Sequence, residues 1–237
     1  MAQITFTNTL EVLEDFSPQP ATSFVPEWYK DMASYMGGEK KPREDGQPDA
    51  TVKRCMPVFD AIAHGYIITT YVDLFVSHKL QQGIDGETET VHWYNWPSLS
   101  PIEFHPIEQA PTHPAKNGLP YPTFVNPWGI KTPPGYSTLF LPPMHQDNVF
   151  TILPGVVDTD TYTAPVNFPM VLTDATFKGL IPAGTPIAQV VPFQRESWSM
   201  NIGNKADFES QMKVSRKLST KFFDSYKTQY RQVKEYK

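Results

Sequence analysis

Cysteine is almost absent from this chain. The single residue Cys55 has no partner, so an internal disulfide is excluded and an intracellular, cytoplasmic setting is expected. No stretch of about 18 consecutive apolar residues occurs, and no membrane span is expected. The opening MAQITFTNTLEVLEDF lacks the basic and apolar regions of a secretory signal. Several chemistries lack their signatures: there is no Gly-x-Ser-x-Gly, P-loop, dinucleotide fingerprint or His-Glu-x-x-His pattern. Glycines are few, 13 against 24 prolines. So much proline disfavours long helices and central strands and favours short strands joined by rigid loops.

Enough apolar material remains for a core, with hydrophobic residues at 40% and aromatics at 13%. Net charge is −5, unevenly spread. From Lys205 onward nine Lys/Arg face four Asp/Glu, a surplus of five, which leaves −10 on the preceding 204 residues. A basic tail on an acidic body suits a polyanion or docking on acidic neighbours. The second needs no ligand, and nucleic acid is not an expected partner.

Ile4 and Phe6 alternate with polar residues, and Leu10, Val12 and Leu13 follow, so residues 3–16 read as one or two strands. Pro26 suits a first helical turn, with Trp28, Met32 and Tyr35 on one face and Gly37-Gly38 as the stop. A charged loop follows. Pro57 to Ile62 suits a helical turn that Gly65 breaks, and Tyr66 to Val76 reads as a strand rich in Ile, Thr, Tyr and Val. Asp85-Gly86 reads as a hairpin turn between residues 80–84 and 89–93. Short apolar runs then recur at 124–125, 137–141, 149–153, 168–172 and 187–191, separated by Pro/Gly turns, the pattern of a sandwich or barrel. After Asn204 no proline or glycine occurs. Asn204 and Asp207 resemble an N-cap pair, and Phe208, Met212, Phe222, Tyr226, Tyr230 and Val233 fall on or near one helical stripe. These features divide the chain into a β-rich domain over 1–203 and a helical tail over 204–237.

Three segments carry a resemblance: Ile130-Lys-Thr-Pro-Pro-Gly-Tyr-Ser137, Leu153-Pro-Gly-Val-Val-Asp-Thr-Asp-Thr-Tyr162 and Ile181-Pro-Ala-Gly-Thr-Pro-Ile-Ala-Gln-Val190. In order and spacing they resemble the dUTPase and dCTP deaminase superfamily. The resemblance implies a mainly β fold of the β-clip type, a distorted barrel, here with a short N-terminal helix and a long C-terminal one. The whole chain also resembles an uncharacterised family of similar length found in bacteria and phages, which implies no activity. In dUTPases the first Asp of the hairpin orients the deoxyribose and the attacking water, and Asp158 occupies that position. The resemblance implies a general-base or water-orienting Asp158, with Gly155, Asp160, Tyr162 and Gln189 about a small-molecule ligand, a nucleotide being the family's own. It also implies Mg²⁺ with a phosphate substrate and a homotrimer with sites between subunits. Tyr162 is displaced by one residue, because Thr161 intervenes, and this would turn the ring to the other face of a regular strand. The family's phosphate-binding Arg-Ser-Gly would fall near residues 142–147, where no Arg occurs. β-clip domains also serve as trimeric decoration proteins on phage heads, so a structural or interaction protein, virion-associated if phage-encoded, is the alternative.

The residues themselves say less. On a regular strand Asp158 and Asp160 share a face and form a carboxylate pair for base or Mg²⁺ work. Gly155 suits a tight turn or close backbone approach, and Gln189 can bridge backbone groups. His145-Gln146-Asp147 matches the His-x-Asp of iron oxygenases on jelly-roll barrels, but no second histidine follows it. Glu103, His105, Glu108 and Gln109 suit a small pocket or a self-satisfied loop. Trp93, Trp96 and Trp128 suit ring stacking or core packing. Cys55 beside Arg54 suits a lowered pKa or, at the head of an apolar segment, an inert thiol.

Overall fold

The computed structural model describes residues 2–8, 11–41, 49–83, 86–95, 101–109, 121–220 and 225–237. Its fold is mainly β. The chain forms two compact units, Met1–Ser23 with Gly65–Arg195, and Phe24–His64 with Glu196–Lys237. No helix among the described residues is long and apolar enough to cross a membrane.

All the described strands lie in the first unit. In chain order they are β1 (Thr5–Thr7), β2 (Gln19–Pro20), β3 (Tyr66–Thr69), β4 (Leu74–Gly83), β5 (Gly86–Asn95), β6 (Ile102–His105), β7 (Tyr121–Phe124), β8 (Gly129–Lys131), β9 (Tyr136–Leu141), β10 (Phe150–Ile152), β11 (Gly155–Val157), β12 (Phe168–Leu172), β13 (Gly179–Ile181) and β14 (Pro186–Gln194). They build four sheets, ordered β1-β8, β10-β12-β7-β6, β11-β9-β14-β3-β2 and β13-β4-β5, all with antiparallel pairing. β14 is a central strand, and Ile187, Ala188, Gln189 and Val190 are all fully buried, as expected where both faces of a strand are covered. Phe124, Phe140 and Phe168 anchor the core beside Ile130, Met170 and Leu74. Phe140 and Phe168 meet at 5.6 Å between ring centroids.

The three segments singled out from the sequence converge here. Val157 pairs with Thr138, and Val190 pairs with Phe140. The Gly-Val-Val strand, the Tyr-Ser strand and the Ile-Ala-Gln strand are thus consecutive in one sheet.

Four expectations are corrected. Glu11–Phe16 is a 3-10 helix, not a strand, closed by Ser17, whose amide and hydroxyl both donate to the carbonyl of Glu14. The strand expected over 66–76 is broken in two, because Thr70 gives its amide to Thr185 and accepts from Gly184. The helix after Pro26, α1 (Glu27–Asp31), ends before Met32, since the backbone of Ser34 and Met36 turns to pair with Thr51 and Asp49. The β4–β5 hairpin is longer than expected, running from Leu74↔Asn95 to Gly83↔Gly86, and residues 84 and 85, where the turn was expected to begin, lie outside the described residues.

The second unit holds α1, α2 (Met56–Ile62), α3 (Lys205–Thr220) and α4 (Ser225–Gln229). α2 starts with Pro57 in its first turn, where a missing amide costs nothing. Its Asp60 takes a guanidinium from Arg231, with Nε at 3.0 Å from Oδ1 and NH2 at 2.6 Å. Phe222 lies outside the described residues, as do Trp96 and His113. Trp128 is buried in the core of the first unit and Trp93 packs against that core, so both are packing residues.

Candidate functional site

The turn that follows β11 is the centre of the site. Asp158 and Asp160 were expected two apart on a strand. The strand instead ends at Val157, and the amides of Thr161 and Tyr162 both donate to the carbonyl of Asp158, at 3.0 and 2.8 Å. A ladder of buried hydroxyls fixes this turn. Thr159 Oγ1 lies 2.8 Å from Thr132 Oγ1 and 2.7 Å from Thr138 Oγ1, and all three threonines are buried.

Arg195 clamps the two carboxylates. β14 pairs with β9 as far as Gln194↔Tyr136, and the Arg195 amide then donates to the carbonyl of Gly135 at 2.8 Å. Gly135 has φ +84°, a left-handed conformation that suits glycine. From there the guanidinium grips Asp160 with NH1 at 2.8 Å and NH2 at 2.5 Å, while the Gly135 amide adds a third bond at 2.8 Å. Arg195 NH1 also lies 3.2 Å from Asp158 Oδ1, which accepts from Ser137 Oγ at 2.6 Å. The Asp160 side chain is 6% exposed and that of Asp158 62%. The hydrogen bonds from Arg195, then that from the Gly135 amide, pull the Asp160 carboxyl down to about 2.

That shift has a sign. An unfolded Asp titrates near 3.9, so Asp160 contributes stability that is complete above about pH 4 and is lost as pH falls through about 2. Asp160→Asn is expected to flatten the acid unfolding limb between those values and leave the limb above pH 5 unchanged. Circular dichroism across pH 1.5–6 measures this, and parallel acid limbs for the two proteins would contradict the assignment.

A cleft of about 570 Å³ is lined by residues at both ends of the same turn. Val157 and Tyr162 wall it, with His105, Thr123 and Pro169 from three neighbouring strands and Pro165, Val166 and Asn167 from the loop between β11 and β12. The loop is pinned: Asn126 donates its amide to Asn167 Oδ1 at 3.2 Å, and a Cβ added to Gly129 would lie 2.8 Å from the carbonyl oxygen of Thr163. Thr123 Oγ1 is buried and has no hydrogen-bond partner among the described residues, an arrangement that folded proteins rarely tolerate without a water or ligand. No Lys or Arg is among the described lining residues.

The expected site residues therefore separate. Tyr162 lines the cleft; Asp158 and Asp160 belong to the Arg195 clamp and are not among its lining residues. Gln189 was expected at a ligand but is fully buried, and its side-chain carbonyl accepts from the Met144 amide at 2.8 Å. It braces the 142–147 loop instead. Gly155 was expected to permit a tight turn or a close backbone approach; it lies in strand β11, and a Cβ there meets nothing within 4 Å. An Mg²⁺ held by both carboxylates would have to displace a guanidinium bound in bidentate fashion, so the pair does not fit that ion. Among the described residues no group of three His, Cys, Asp or Glu converges, and His145 sits exposed in its loop. Of the 103–109 candidates only His105 reaches the cleft. Cys55 is exposed.

Arg195, Thr123 and Asn167 were missed from sequence. Arg195 had a signal: counting outward from the Ile-Ala-Gln strand against the Tyr-Ser strand brings it opposite Gly135. In comparisons with known proteins, no family model and no curated sequence matches the chain.

Proposed function

We propose that this chain is a small-molecule-binding protein on a dUTPase-like β-clip fold, and that its cleft takes an uncharged ring bearing hydrogen-bonding groups. The fold assignment is supported by the adjacency of β11, β9 and β14, which unites the three segments of the resemblance. The ligand class rests on one observation, the Thr123 hydroxyl, which has no partner among the described residues and sits beside a cleft whose described lining holds no Lys or Arg. Tyr162 and the prolines offer flat apolar walls, and His105 and Asn167 offer polar groups at the rim. A phosphate chain would find no fixed counter-charge among those residues. With Asp158 outside the lining and one of its oxygens committed to Ser137 and Arg195, binding is a better reading of this geometry than hydrolysis.

Thr123→Val tests the proposal. Replacing an unpaired buried hydroxyl by a methyl is expected to stabilise the ligand-free protein by about 1–2 kcal/mol, measured by urea unfolding. The same variant loses the ligand's thermal shift. Free bases, nucleosides and sugars are screened against their phosphates, and a ligand at 100 times its Kd adds about 2.7 kcal/mol to the wild type. A destabilised variant, or shifts given only by phosphorylated compounds, would overturn the reading.

A further inference from the structure

Residues 195–204 run as a strap outside every named strand and helix. Trp198, Met200 and Ile202 are 87%, 90% and 85% exposed. They recur at every second position over five residues. Three large apolar side chains in that state are unusual on a lone folded protein and mark an interaction surface.

The strap ends in a well-built cap. Asn204 Oδ1 accepts from the Ala206 amide at 2.8 Å, and Asp207 Oδ2 accepts from the Asn204 amide at 2.8 Å, a reciprocal pair that starts α3. At about 100° per residue, Phe208, Met212, Val214 and Leu218 share one arc of α3 with uncharged Gln211 and Ser215. Lys205, Glu209, Lys213, Arg216 and Lys217 occupy the opposite arc. No residue of 205–218 is buried, and Phe208 is 59% exposed. The strap and the helix thus carry exposed apolar side chains close together in sequence.

We propose that residues 198–218 are an assembly arm that seats on a second copy of this chain. The exposed apolar residues of one arm amount to on the order of 700 Å², near the ~800 Å² per partner of a stable interface. The chain supplies a complement in charge, because the arm carries four Lys/Arg against two Asp/Glu while residues 1–204 carry −10. It also supplies an apolar counterpart: Phe75 and Leu180 face each other across β4 and β13 and are both about half exposed.

Sedimentation of the full chain over a hundredfold concentration range tests the arm. The wild type is expected to associate, more weakly as salt is raised. Replacing Trp198 and Met200 together by Asp weakens association about 100-fold, with an unchanged circular dichroism spectrum, as exposed positions allow. Leu180→Lys is the second variant and is expected to weaken it as well. A wild type that stays monomeric throughout overturns the proposal, as does an oligomer that the double variant leaves intact. A monomer whose Trp198 fluorescence blue-shifts on anionic vesicles would assign the strap to a lipid surface instead.

Discussion

Gly65→Ala is expected to destabilise the protein by more than about 3 kcal/mol, the scale of a strained backbone added to a steric collision. Gly65 has φ +74°, where an L side chain is strained at once, and a methyl group added there would meet the carbonyl oxygen of Val190 at 2.1 Å and its carbon at 3.0 Å. Neither neighbour is a flexible side-chain end. Val190 is fully buried in the central strand β14 and pairs with Tyr66, the residue after the glycine. The Gly65 carbonyl is also engaged, accepting from the Ala21 amide at 2.9 Å. Relieving the collision requires β3 to part from β14 beside the core. Urea unfolding measures the loss, and a change below about 1 kcal/mol would show that β3 can shift at little cost.

Arg231→Met is expected to cost about 3 kcal/mol within the second unit, because it strands Asp60 as a buried charge without its partner. Both side chains are 14% exposed, and the guanidinium reaches both carboxylate oxygens. Lys234 is a poor substitute at 3.4 Å. The guanidinium also lies 5.9 Å over the Phe59 ring, which stacks on Tyr29, so its loss thins a packed aromatic layer. The hydrogen bonds from Arg231 hold the Asp60 carboxyl below the usual range, and that stabilisation is present above about pH 4 and fades on acidification. Burial pushes the neighbouring His64 below its ordinary value, and Tyr236 meets its ring at 2.9 Å. The unfolded chain therefore takes up a proton near pH 6.5 that the folded one resists, so this unit weakens as pH falls below about 6.5. Double variants Asp60→Asn with Arg231→Met should recover part of the loss. No recovery would show that the arginine acts by packing alone.

The β-runs that the sequence made legible are those with turn chemistry on both sides. Ser137 to Leu141 follows Pro-Pro-Gly, and Ile187 to Val191 follows Pro-Ala-Gly; both are strands, β9 and β14, within a residue or a few. Leu10 to Leu13 had only an apolar composition, which a 3-10 turn closed by Ser17 satisfies equally well by burying Leu13 alone among its described side chains. Thr123 reads as an ordinary strand former, and nothing local shows that its hydroxyl is left without a partner. Arg195 reads as a solvated charge at a strand end. Its role depends on a register with residues some sixty positions earlier, and pairing of that range is not written in any local window. The two aspartates were found by resemblance, but their exposures were not: expected to share a face, their side chains are 62% and 6% exposed, because a turn has replaced a regular strand.

The pairing of β1 with β8 bears on how the protein is made. Phe6 meets Ile130, 124 positions further along the chain, and at about 5–20 residues per second a ribosome needs roughly 6–25 s to supply the second strand after the first. Until then the earliest strand lacks its pairing strand, although Tyr66, which meets the Phe6 ring, is made earlier. Contacts of such sequence separation also slow folding from the full-length state. Expression at reduced temperature, or with a chaperone that shields nascent chains, is the condition under which this chain's yield should gain most.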